Sequence, residues 1–170
     1  QCANDAWKAA NQAPGNIATL IVPADYAWSD IGSDLPKKVE LNNRKPVDNK
    51  LIEAAYKLLL KPNSMLYLGG KFLDEECLKF AAQIATKTGC RLVTDTFVSR
   101  IRRGAGLPIV QQVPYFSEMA EDFLQGTESI VFIGTKPPVS FFAYPDKKSF
   151  LSPDEAELFE LCSVEENGYE

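Results

Sequence analysis

Three short runs that are apolar on both faces, Met65 to Leu68, Cys90 to Thr94 and Ile130 to Ile133, alternate with stretches of helical periodicity. Strands of this kind must be covered on both sides. They fit a parallel sheet between helices, whereas an antiparallel sheet with one wet face would alternate apolar and polar residues. Asp48 caps a helix whose apolar positions Leu51, Ala55, Leu58 and Leu59 share a face, and Lys61-Pro62 stops it. Asp74, Glu75 and Glu76 give a second helix an acidic first turn, with Leu78, Ala81, Ala82 and Ala85 inward and Gly89 as its C-cap. Ser117 caps a third helix through Met119, Ala120, Phe123 and Leu124, which Gly126 ends. Val139 to Tyr144 reads as a last strand and Asp154 to Leu161 as a terminal helix. The expected core is an α/β, doubly wound parallel sheet.

Upstream the rhythm differs. Cys2 to Gln12 reads as helix, Pro14-Gly15 ends it, and Ile17 to Val22 reads as a strand closed by Pro23. From Ala24 to Pro46 periodicity is lost, and Pro36, Lys37, Lys38, Asn42, Asn43, Arg44 and Lys45 gather as in an exposed linker. Val98 to Val113 reads as loop, and Glu165 to Glu170 as a frayed acidic tail. Gln1 is not an initiator methionine and falls within a helical pattern, as in a piece of something longer.

Composition narrows the function. With 18 basic and 23 acidic residues the formal charge is -5, so a phosphate backbone meets net repulsion and nucleic acid is not an expected partner. The longest uncharged apolar stretch, Ile17 to Pro23, falls far short of the roughly 20 residues that cross a bilayer, and no signal-peptide pattern opens the chain. No membrane is expected. The chain has no histidine, which removes Ser-His-Asp triads, Cys-His pairs and imidazole ligands. Cys2, Cys77, Cys90 and Cys162 form no C-x-x-C, and read as reduced thiols of a cytosol-like compartment.

Ligands of open parallel sheets lie beyond the carboxyl ends of the strands. Two strands here end in glycine. Gly69-Gly70 leads toward the helix capped by Asp74, where backbone amides can face a phosphate with Lys71 beside them, and Gly134-Thr135-Lys136 forms the second turn. Neither matches a complete phosphate-loop motif, and both equally fit tight strand-to-helix turns. Ser99 to Gly106 carries Arg100, Arg102 and Arg103, either a diphosphate clamp or a solvated or inter-subunit loop. Asp95, just after the second strand, stands where such sheets place an acid for ribose hydroxyls, or simply caps the strand. Phe141, Phe142 and Tyr144 suit a flat cofactor ring or a packed interface.

These pieces resemble a known superfamily. Leu20-Ile21-Val22-Pro23-Ala24-Asp25 is similar to the end of the pyrimidine-binding domain in thiamine diphosphate enzymes, and Met65 to Gly70 resembles the first strand and turn of their central domain. Gly104-Ala105-Gly106, Pro114-Tyr115-Phe116, Ile133-Gly134-Thr135 with Pro137-Pro138-Val139, and Phe141 to Pro145 follow in the order and spacing of acetolactate synthase large-subunit-like proteins. The resemblance implies a fragment: residues 1–28 as the tail of a pyrimidine domain, 29–47 as linker, 48–162 as a Rossmann-like central domain of about six strands, and 163–170 as tail. It implies FAD or ADP at Gly69, Gly70, Lys71, Asp95, Arg100, Gly134 and Thr135, and catalysis elsewhere, by thiamine diphosphate and magnesium on the pyrimidine- and diphosphate-binding domains. A free-standing nucleotide-binding or oligomer-scaffold module is the alternative. The parent is expected to be a homo-oligomer, cytoplasmic or organellar.

Overall fold

The computed structural model describes residues 1–30, 32, 37–143 and 145–169. The chain divides into two compact units, Gln1–Arg44 and Lys45–Glu170.

The first unit carries α1 (Cys2–Asn11) and α2 (Ala24–Trp28), neither with a buried residue. Gln12 and Asn42 bond reciprocally: the Asn42 amide donates to Gln12 Oε1 at 2.8 Å and Gln12 Nε2 to the Asn42 carbonyl at 3.2 Å. The strand expected at Ile17 to Val22 does not form a ladder. Among the described residues no neighbouring backbone pairs with it, and Ile17 and Ile21 are 99% and 87% exposed. A strand exists only where a second backbone satisfies its N–H and C=O groups. Pro36, expected in the linker, lies outside the described residues.

The second unit starts at Lys45, inside the stretch read as linker. In chain order it runs β1 (Lys45–Pro46), α3 (Asn49–Leu59), β2 (Ser64–Leu68), a 3-10 turn (Gly70–Leu73), α4 (Glu75–Thr88), β3 (Arg91–Thr94), β4 (Gln111–Gln112), α5 (Ser117–Leu124), β5 (Ser129–Ile133), β6 (Glu157–Cys162) and β7 (Glu166–Asn167). Five strands form one all-parallel sheet in the order β4-β3-β2-β5-β6. Asp48 caps α3 by accepting from the Lys50 amide at 2.8 Å, and Gly89 closes α4 at φ +79°.

The two-residue repeat of the strands sorts the core into two layers. Leu66, Leu68, Leu92 and Val131 pack with Ala55, Leu58 and Leu59 of α3 and with Cys77, Leu78 and Ala81 of α4. Met65, Tyr67, Val93, Ile130 and Phe132 pack with Ala120 and Leu124 of α5 on the opposite face. Helices therefore cover both sides of a doubly wound sheet. At the entry edge, Ser64 and Ser129 donate to the carbonyls of Leu59 and Leu58 at 2.7 and 2.8 Å. Two strand-start hydroxyls thus bond carbonyls of the last turn of α3, where the Leu58 carbonyl also accepts from the Lys61 amide at 3.1 Å.

Several expectations are corrected. Among the described residues the main sheet has five strands, where about six were expected. Asp154 to Leu161 is not a helix: Glu157–Cys162 is an edge strand, because Leu158, Phe159 and Leu161 fit either period and the open side of β5 supplies a partner. Val139 to Tyr144 contributes one antiparallel bridge, Val139 to Phe150, and Tyr144 lies outside the described residues. The tail is not frayed, since Glu166–Asn167 pairs in parallel with Lys45–Pro46; Glu170 lies outside the described residues. The loop from Val98 to Val113 contains the short strand β4. Ser117 is the first helical residue of α5 rather than its cap, and its hydroxyl turns to Glu118 at 3.2 Å.

Ser129→Ala leaves the Leu58 carbonyl with the Lys61 amide as its remaining donor, at 3.1 Å. A loss of about 1 kcal/mol is expected, seen as a lower urea midpoint at unchanged slope.

Candidate functional site

Strand order reverses between β2 and β5: from β2 the chain moves outward to β3 and β4, then returns to β5 and β6 on the other side. The carboxyl ends of β2 and β5 are thus the topological switch point, where ligands of such sheets sit.

The two glycine turns meet there. The Gly69 amide donates to the Ile133 carbonyl at 2.9 Å. A Cβ added at Gly69 would lie 2.5 Å from the Thr135 Cβ, and one at Gly134 would lie 2.3 Å from the Phe72 ring. Gly134 also has φ +66°. Glycine is required at both positions by contact, and at Gly134 by backbone conformation as well.

On the α5 side of this contact an open cleft of about 360 Å³ is lined by residues including Asp95, Phe97, Tyr115, Thr135, Lys136 and Phe141. Asp95 holds its floor together. Tyr67 donates its hydroxyl to Asp95 Oδ1 at 2.8 Å and Thr135 donates to Oδ2 at 2.6 Å, which ties β2, β3 and β5 through one carboxylate. Burial raises the Tyr67 phenol far above its ordinary value, and the charge of Asp95 and the hydrogen bond to it push the same way. The phenol therefore stays a neutral donor. The wall is aromatic: Phe97 lies 5.7 Å from Tyr115 and 5.3 Å from Phe141 between ring centres. Phe97 and Phe141 are each over 60% exposed, so the cleft presents a ring-lined, partly wet surface.

On the other side Gly70, Lys71, Arg100 and Arg102 border a shallow depression of about 280 Å³ shared with Asp74. The predicted residues thus fall into two groups, Asp95 and Thr135 in the aromatic cleft and Gly70, Lys71 and Arg100 in the depression, with Gly69 and Gly134 in contact between them. Arg103 is drawn away, donating to Gln112 at 2.8 Å. Sequence reasoning passed over Tyr67, whose signal is a single phenol in an otherwise aliphatic buried strand. It also passed over Tyr169, which no local pattern marks. Among the described residues no three His, Cys, Asp or Glu side chains converge as a metal site. Among the described residues no helix is long and apolar enough to cross a membrane. All four cysteines are free, and burial pushes the Cys77 thiol up to about 11.

No model of a known protein family matches the chain. Over 157 residues it is 37% identical to a Mycobacterium tuberculosis protein named as an acetolactate synthase large subunit, IlvX, covering 91% of this chain and 30% of that protein. The chain is homologous to a domain-length stretch of an acetolactate synthase-like protein. A crystal structure of a Mycobacterium smegmatis protein described as thiamin diphosphate-dependent superposes on 92% of the chain with a TM-score of 0.69 at 19% identity, which establishes the shared fold. The chain spans about 30% of the length of each of these longer proteins.

Within this sheet Tyr67 carries a pH signature. A phenol raised in the folded state contributes stability that is complete below its unfolded value of about 10 and is lost as pH rises beyond it. Tyr67→Phe is expected to cost about 1–3 kcal/mol at neutral pH, by unpairing Asp95 Oδ1, and to flatten the alkaline loss. Urea midpoints across a pH series measure both.

Proposed function

We propose that the chain serves as the central domain of a thiamine diphosphate-dependent, acetolactate synthase-like enzyme and supplies no catalytic group itself. The longer protein would decarboxylate a 2-oxo acid and pass the carbanion equivalent to an acceptor, with thiamine diphosphate as electron sink. That cofactor and its magnesium would be held by the pyrimidine- and diphosphate-binding domains, which this sheet keeps in register within a cytoplasmic homo-oligomer. The observation that carries the reading is the 37% identity spread over 91% of the chain, confined to 30% of the relative's length. A second observation supports the assignment of residues 1–28 to the end of a pyrimidine domain. Ile17, Ile21 and Val22 are apolar and exposed, as befits a strand whose sheet belongs to that domain.

The aromatic cleft favours one other reading, a module that binds an adenine nucleotide with its ribose at Asp95 and its base among Phe97, Tyr115 and Phe141. Calorimetry separates the two, because a sensor must bind in isolation and a scaffold need not. Saturable heat with ADP would favour the sensor.

The purified chain, given thiamine diphosphate, magnesium and pyruvate, is expected to release no carbon dioxide above background. Sustained turnover would overturn the scaffold reading.

A further inference from the structure

FAD or ADP laid across such a sheet would set its diphosphate over the turn after β2, against free backbone N–H groups and the N-terminus of the following helix. The residues present do not fit that group. Four backbone donors around it are spent. The Gly69 amide donates to Ile133, the Gly134 amide to the Cys162 carbonyl at 2.7 Å, the Phe72 amide to Gly69 at 3.1 Å and the Asp74 amide to Lys71 at 3.3 Å. At the start of α4 an anion is already in place, since Asp74 Oδ1 accepts from the Cys77 amide at 3.0 Å and Tyr169 donates its hydroxyl to Oδ2 at 2.5 Å. Burial raises the Asp74 carboxyl, but the bonds from Tyr169 and from the Cys77 and Glu76 amides outweigh it and hold the group below the ordinary carboxylate range.

The space is closed as well. Phe72 is 1% exposed, and its ring is wedged between two glycines: a Cβ at Gly134 or Gly168 would come within 2.3 or 2.5 Å of it. Lys71 points at the protein's own groups, with Nζ 3.1 Å from the Glu166 carbonyl and 4.7 and 5.0 Å from the ring centres of Phe72 and Tyr169. We infer that the diphosphate seat of this domain is filled from within: the Asp74 carboxylate stands where a phosphate would, and Phe72 and Tyr169 close over it. The domain holds neither FAD nor ADP by a diphosphate at Gly69-Gly70. Lys71 joins the C-terminal segment to the turn instead of meeting a ligand.

The test follows backbone amide signals of the isotope-labelled chain during titration with ADP, then FAD, to about 1 mM, the weak end of specific affinity. Signals of Gly69, Gly70, Phe72 and Cys77 are expected to stay in place. Their saturable movement with either nucleotide would overturn the inference, whereas movement confined to Phe97 and Tyr115 would locate the nucleotide in the aromatic cleft and leave the seat filled. In Tyr169→Phe, hydrogen exchange at the Cys77 amide is expected to quicken several-fold with the fold retained. Unchanged exchange would remove Tyr169 from the closure. Neither readout depends on whether the longer protein decarboxylates 2-oxo acids.

Discussion

The second unit is organised around the contact between its two glycine turns. Gly69 and Gly134 approach until a methyl group on either would overlap the Thr135 side chain or the Phe72 ring. Interiors pack at crystal-like density, so a contact this close is sensitive to small changes on either side. It brings the carboxyl ends of β2 and β5 level, in the register that pairs Leu68 with Ile133. That register in turn carries Thr135 to one oxygen of Asp95 while Tyr67 reaches the other. A carboxylate with donors on both oxygens recovers part of the hydration it gives up on burial, and removing either donor exposes that debt.

The same contact divides the carboxyl edge of the sheet into two unlike halves. Toward α5 the edge stays open, with rings at its wall and Asp95 at its floor. Toward α4 it is shut by Phe72, by Tyr169 and by β7, whose pairing with β1 holds the C-terminal segment against the turn. Aromatic side chains do opposite work in the two places. Phe72 fills volume and is lost from the surface, whereas Phe97 and Phe141 remain over 60% exposed and keep apolar area available for contact.

Much of this was legible in the sequence, and the illegible parts share a cause. The strands β2, β3 and β5 and the helices α3 and α4 announce themselves because each is specified by local pattern: doubly apolar runs, Asp48 and Asp74 at N-caps, Gly89 at a C-cap. The strand β6 was hidden because Glu157 to Cys162 satisfies a helical spacing as well as an alternating one, and only the unpaired edge of β5 decides between them. The strand β7 is a two-residue pairing with β1 across more than a hundred positions, which no window sees. Ile17 to Val22 shows the converse, a sound strand pattern with no partner among the described residues. At the site, the glycines identify turns, but the roles of Lys71 and Phe72 appear only through Gly168 and Tyr169, almost a hundred residues later.

A seat that waits for a ligand leaves helix N–H groups unpaired and ties stability to ligand concentration, since binding to the native state alone adds RT ln(1 + [L]/Kd). Asp74 and Tyr169 remove that dependence, because their anion and donor travel with the chain and are present whenever it folds. The closure also joins the last strand to the first turn of the domain, so the C-terminal segment is ordered by the same contacts that fill the seat. A sheet built this way can keep its doubly wound topology while surrendering the ligand that topology ordinarily serves. On the proposed scaffold reading, it would offer the rest of a longer protein a rigid frame, with its open chemistry confined to the aromatic side.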